Sequence, residues 1–294
     1  MTEIPRRTLL TALALGLTGV AAAGDQAYRG PELTLTIAAI PTKGSMDNLE
    51  RLGKGEVDLA LVLTDAAQAS TSTGGFSTNP VQMRAIGRVY ENYLQLVVLA
   101  TSPIRTLADL AGRTLSLGAD GSGAELTGGR LLTAAGLVSA PPAAVVEQHY
   151  PLFDAIAALK AGHIDALLWS GGVPTPALAK LSARHSIRLL PLATALKALQ
   201  SAHGPVYPLV TVPADAYGPA PEVTTIGVAN LLICRPDTDP AVTAIVARVL
   251  VTHAARLVPQ QVLGTQFLDP RSLIATAGIP LHPGAITAYR ALHG

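Results

Sequence analysis

Two short turns hold most of the residues in this chain whose types and spacing could do chemistry. Gly44 and Ser45 stand just ahead of an amphipathic stretch, and the run GADGSG, Gly118 to Gly123, leads from a short apolar strand into a helical segment, Ala124 to Ala135. A strand, a glycine-rich turn and a helix start together make an anion cradle, because glycines let the backbone approach and the free N–H groups favour negative charge. The run lacks the Lys-Ser/Thr of a P-loop, and no acidic residue follows a second strand in the dinucleotide manner. A carboxylate is therefore as good a guest as a phosphate for Gly121, Ser122, Gly123, Ala124 and Glu125. Around Gly44, Ser45 and Asn48 the residues allow either a carboxylate site or a plain helix cap with Ser45 as the N-cap. Thr64 with Asp65, and Trp169, Ser170 and Gly171, lie where two apolar strands run out. Open parallel sheets bind ligands at such carboxyl ends. Tyr90 and Tyr93 could add a ring and a hydroxyl, although a tyrosine in an apolar run is also ordinary core.

Signatures of catalysis are missing. No serine sits in G-x-S-x-G, there is no H-E-x-x-H, and the histidines at 149, 163, 185, 203, 253, 282 and 293 never fall at short metal-ligand spacing. An enzyme on this chain would have to draw on Asp65, Ser122 and Glu125. His282, between Leu281 and Pro283, reads as structural.

The elements that must position these residues come as a repeat. Residues 45 to 63 and 151 to 168 each read as an amphipathic helix, a glycine stop, a β-branched residue, Asp and an apolar strand. Met46, Leu49 and Leu52 form one stripe and Leu152, Ile156 and Leu159 the other, with Gly55 and Gly162 ending the helices. Continuous apolar strands between helices belong to sheets covered on both faces, so the fold class is α/β. Asp58 and Asp165 begin their strands, far from the expected site, and are predicted to satisfy loop backbone. The spacing predicts further strands at Leu33 to Ile40, Tyr93 to Ala100, Ile187 to Leu190 and Thr224 to Cys234. Ala66 to Pro80 reads as a polar surface loop.

The composition narrows the function classes. With 49% hydrophobic and 14% charged residues the chain has ample core, and a net charge of +1 implies no acidic partner such as nucleic acid. Arg6 and Arg7, then an apolar run from Thr8 to Val20 and an A-x-A pattern at Ala21 to Ala23, predict a signal peptide over residues 1–23 and a periplasmic protein, exported by either the Tat or the Sec route. An uncleaved anchor is the alternative. The one cysteine, Cys234, lies in an apolar run and reads as buried and inert.

The segments GSMDNLERLGKGEVDLALVLTDAA, LADLAGRTLSLGADGSGAE, LKAGHIDALLWSGG and IPLHPGA, in this order, resemble the TAXI-type solute receptors of tripartite ATP-independent periplasmic (TRAP) transporters. The resemblance covers most of residues 33 to 290. It implies a two-lobe periplasmic binding-protein fold (type II), with residues 24–98 and 205–294 in the first lobe and 99–204 in the second. It also implies a monomer without cofactor, a small carboxylate such as glutamate, glutamine or a 2-oxo acid held between the lobes, and delivery to TRAP membrane permease subunits. Two departures stand out. Only residues 24 to 32 precede Leu33, so the strand, glycine loop and helix that usually open the first lobe are expected to be missing, with the alternating strand at Leu33 to Ile37 left as a bare edge. The family's GSG is usually followed by Thr, and Ala124 forgoes that hydroxyl, worth about 0.5 to 1.5 kcal/mol if it met the ligand. Weakened binding follows as an expectation. A ligand-sensing protein that feeds a signalling partner is the other reading.

Overall fold

The computed structural model describes residues 9–10, 26–29, 34–71, 80–138, 144–258 and 260–293. In order the chain forms β1 (Leu9–Leu10), β2 (Gln26–Arg29), β3 (Thr34–Ala38), α1 (Ser45–Lys54), β4 (Leu59–Leu63), α2 (Thr64–Thr71) and the long β5 (Arg84–Leu99). Then come β6 (Thr114–Ser116), α3 (Gly123–Ala134), β7 (Val146–Gln148), α4 (Leu152–Ala161), β8 (Ala166–Gly171), α5 (Pro176–Ser182), β9 (Ile187–Leu190) and α6 (Ala193–His203). The last part holds β10 (Leu209–Val212), β11 (Val223–Cys234), α7 (Pro240–Thr252), α8 (Ala254–Leu257), α9 (Pro270–Leu273) and α10 (Pro283–His293).

The two repeats fold alike. α1 buries Leu49 and Leu52, α4 buries Leu152, Ala155 and Leu159, and each helix ends on a left-handed glycine, Gly55 at φ 71° and Gly162 at φ 73°. A side chain would be strained there, so glycine closes the helix and its own N–H and the next return to the last carbonyls. The strands that follow, β4 and β8, are almost wholly buried. Asp165 accepts the N–H of Thr114 at 2.9 Å, so it holds the start of strand β6 and not, as expected, loop backbone.

One open mixed sheet of eight strands organises the molecule, in the order β10-β11-β5-β8-β6-β7, with β4 also on β11 and β9 also on β5. β5 spans 16 residues and joins its two ends. Its first part pairs antiparallel with β11, and from Tyr93 onward it pairs with β8 and β9. An apolar cluster lies on one face and draws on both ends of the sheet, holding Leu49, Leu52 and Leu63 together with Leu94, Leu117, Leu126 and Leu168. A second packs β11 against α7 and α10, and a third packs β8 against α4 and α5. Cys234 is fully buried at the end of β11, and burial pushes its thiol up to about 12.

Several sequence expectations are corrected. The edge of β3 is not bare, because β2 pairs with it antiparallel and β1 parallel, and Leu35 is buried. The supposed polar loop from Ala66 begins as helix α2, and its part at 72–79 lies outside the described residues. The expected leader, apart from the backbone of β1, also lies outside them. The strand predicted to start at Tyr93 begins at Arg84. Arg88, Glu91 and Asn92 look like a break, yet all are held inside the sheet. Among the described residues no helix is long and apolar enough to cross a membrane.

Candidate functional site

Helix α1 starts at Gly44, whose φ of 130° excludes most side chains, and the cap is therefore glycine rather than the expected Ser45. The Ser45 hydroxyl is used elsewhere: it accepts the Leu63 N–H at 3.0 Å, tying the helix start to the end of β4. Asn48, one turn on, donates to the Leu61 carbonyl at 2.7 Å. The first N–H groups of a helix have no partner within it. Here those of Met46 and Asp47 donate to one oxygen, the carbonyl of Gly121, at 3.1 and 3.2 Å.

Gly121 belongs to the second turn. Ser122 caps α3 by accepting the Glu125 N–H at 3.1 Å, and Glu125 returns a carboxylate oxygen to the Gly121 N–H at 2.7 Å. The turns touch without room to spare. A Cβ on Gly44 would lie 3.2 Å from the Ser122 Cα, and one on Gly123 would lie 2.5 Å from Leu63 and 2.6 Å from the Ser45 hydroxyl. Gly123→Ala is accordingly expected to cost about 1 to 3 kcal/mol by overpacking. Thermal unfolding checks this, and a variant as stable as the parent would show that the contact yields freely.

Beside the turns lies a buried polar chain. Asp65 is fully buried and accepts the Thr127 hydroxyl at 2.7 Å, the Tyr207 hydroxyl at 3.0 Å and the Ala66 N–H at 2.8 Å. Arg130 donates to the Tyr207 hydroxyl at 2.9 Å and stands 3.7 Å from the Asp65 carboxylate. Burial pushes the Asp65 carboxyl up, against the opposing pull of its hydrogen bonds and of Arg130, and burial raises Tyr207 as well. Thr64 donates to the Ala229 carbonyl at 2.8 Å. Neither Thr64 nor Asp65 has the exposed position that the sequence suggested, since both are buried inside α2 and its contacts.

The structure thus brings Gly44 and Ser45 against Gly121, Ser122 and Gly123, with Glu125 tied to Gly121 and Ala124 buried next to them, while Asn48 is engaged with Leu61 instead. It does not bring Tyr93 and Trp169 there. Neighbouring residues of a strand point to opposite faces. Ser170 accepts from Asn92 at 3.2 Å, whereas Trp169 packs on the cluster with Tyr93 and donates to Thr175 at 3.0 Å. The Tyr93 hydroxyl meets Thr265 at 3.2 Å, and Gly171 leaves space for the indole of Trp169. Thr127, Arg130 and Tyr207 are not marked as site residues by the sequence. Thr127 and Arg130 are three apart on α3, but nothing local singles out Tyr207, whose partner is 142 residues away.

A family model of the NMT1-like family matches residues 19–291, nearly the whole chain. The chain belongs to that family. NMT1-like proteins are periplasmic substrate-binding proteins, and this member is an extracytoplasmic solute-binding protein built on an open mixed α/β sheet. Solved structures similar to it include the aliphatic sulphonate binding protein SsuA from Escherichia coli, at 18% identity and a TM-score of 0.45, covering 87% of this chain and 72% of that one. XAC2383 from Xanthomonas citri bound to ATP matches at 16% identity and a TM-score of 0.47, over 86% and 82% of the two chains. A periplasmic binding protein from Brucella ovis with glutathione bound matches at 14% identity and a TM-score of 0.43, over 76% of this chain and 57% of that one. The NMT1-like chain thus spans little more than half of the Brucella protein.

Proposed function

We propose that this chain is a TAXI-type receptor of a TRAP transporter, working as a periplasmic monomer after Tat or Sec export. It takes a small carboxylate between a lobe of residues 24–98 and 205–294 and a lobe of residues 99–204, and passes it to the membrane permease subunits. The observation that carries this reading is the pair of α1 N–H groups, Met46 and Asp47, that converge on one oxygen supplied by the opposite turn. A carboxylate oxygen fits two donors that hold a carbonyl oxygen, and its full charge gains more from the helix dipole. Parting of the turns by hinge motion would free these donors and the Ser45, Ser122 and Gly123 groups beside them.

A second reading, a receptor with weak binding or one kept for sensing, has its own support. A ligand at α1 must displace the Gly121 carbonyl and break the close contact of Gly123 with Leu63. Ala124 adds no hydroxyl to compensate. Isothermal titration of the mature chain with glutamate, glutamine and 2-oxoglutarate is expected to give binding weaker than micromolar. Sub-micromolar binding of any of them contradicts the weakening. Native mass spectrometry of protein taken from its own periplasm that finds no carboxylate would remove the receptor reading. A neighbouring sensor kinase gene in place of a permease gene would favour the sensing role.

A further inference from the structure

We propose that Asp120, Glu125 and His149 form a site for a first-row divalent metal ion of the Zn2+ or Mn2+ kind. Asp120 comes from the glycine turn, Glu125 from the first turn of α3, and His149 from the residue after β7. One ligand atom from each lies within 4.8 Å of the other two. His149 Nδ1 stands 3.6 Å from Glu125 Oε1 and 3.8 Å from Asp120 Oδ1. Those distances are too long for hydrogen bonds. They are close to the separation of ligand atoms around one ion, about 3.3 to 3.6 Å when each bond to the metal is roughly 2.0 to 2.2 Å.

The histidine nitrogen supplies an independent sign. Nδ1 is shut off from solvent and has no hydrogen-bond partner among the described residues, and the groups it faces are the two carboxylates. A buried polar atom left this way is costly unless something meets it. Glu125 is also pre-set for the role. Its Oε2 is fixed by the Gly121 N–H at 2.7 Å, which aims Oε1 toward His149 as an outer partner aims a metal ligand. One imidazole with two carboxylates suits a first-row metal, whereas Ca2+ asks for six to eight oxygens. Asp120 is exposed and leaves the side by which an ion and its water ligands enter.

The placement links the ion to the turn contact. The Gly121 peptide gives its N–H to Glu125 and its carbonyl to the α1 N–H groups, so a metal that fixes Glu125 also fixes the oxygen presented to α1. The site does not depend on the receptor reading, because its binding can be measured without any solute.

The full chain, treated with chelator, is titrated calorimetrically with Zn2+, Mn2+ and Ca2+ separately, and Co2+ absorption reports the ligand set. One equivalent of Zn2+ or Mn2+ is expected, with affinity at least tenfold lower in His149→Ala and in Glu125→Gln. His185→Ala, on the exposed surface, is expected to bind as the parent does. Glu125→Gln keeps an acceptor for the Gly121 N–H, so it reports on the metal even if His149→Ala fails to fold. The proposal is overturned by the absence of a saturable single site, by unchanged affinity in Glu125→Gln, or by Ca2+ binding more tightly than Zn2+.

Discussion

Asp65→Ala is expected to lower the folding free energy by about 3 to 5 kcal/mol, more than any other single change to the turns or their supports. The loss has three parts. The Tyr207 hydroxyl and the Ala66 N–H lose their acceptor inside the core, where an unmet donor costs about 1 to 3 kcal/mol. Arg130, which is only 17% exposed, loses the carboxylate at the end of the chain Arg130 to Tyr207 to Asp65. Thr127 loses less, because its hydroxyl also reaches the Gly123 carbonyl at 2.9 Å. Urea unfolding measures the effect, and the double variant Asp65→Ala, Arg130→Ala should cost clearly less than the two single losses added together. A loss below about 1 kcal/mol for Asp65→Ala would mean that the network adds shape but little energy.

Glu91→Gln is expected to change how stability depends on pH. Glu91 lies in the middle of β5, 3% exposed, with one carboxyl oxygen lacking a hydrogen-bond partner among the described residues. Burial pushes its carboxyl up to about 8 from an ordinary 4.5, against the pull of Arg88. The folded chain then holds a proton that the unfolded chain releases between these two values. The stability this group contributes is therefore complete below pH 4.5 and is lost as pH rises to about 8. Each tenfold difference in proton affinity between the folded and unfolded chain is worth about 1.4 kcal/mol, so the loss across the window is on the order of 5 kcal/mol. Glutamine stays neutral and removes this slope. Denaturant unfolding at pH 5 and pH 9 should show the variant gaining on the parent at the higher pH, and parallel profiles would contradict a buried proton on Glu91.

The parts of the fold that can be read from the sequence are those whose causes are local. The 45 to 63 and 151 to 168 repeats each carry a stripe of leucines, a glycine that only a left-handed cap requires, and an unbroken apolar strand, and each folds as its pattern says. The GADGSG turn likewise holds its own explanation, since Ser122 and Glu125 satisfy the donors beside them. What cannot be read depends on partners far away in the chain. β5 resembles two pieces because Arg88, Glu91 and Asn92 interrupt its apolar pattern. Their neighbours across β11, β8 and the Gly264 to Phe267 segment are what make a continuous strand possible. Ser45 suits a cap by its type, whereas the Leu63 N–H, 18 residues on, claims its hydroxyl. Trp169 and Ser170 are adjacent in sequence and suggest one point of a site, although the pleat of β8 turns them to opposite faces.

The single cysteine has a practical consequence. Cys234 is sealed at the end of β11 with its thiol held protonated far above neutral pH, and no second cysteine exists in the chain. Thiolate, not thiol, attacks labelling reagents. A dye or spin label directed to a new cysteine on either glycine turn will therefore mark that turn alone, and the natural residue can stay in place while the separation of the two turns is followed in solution.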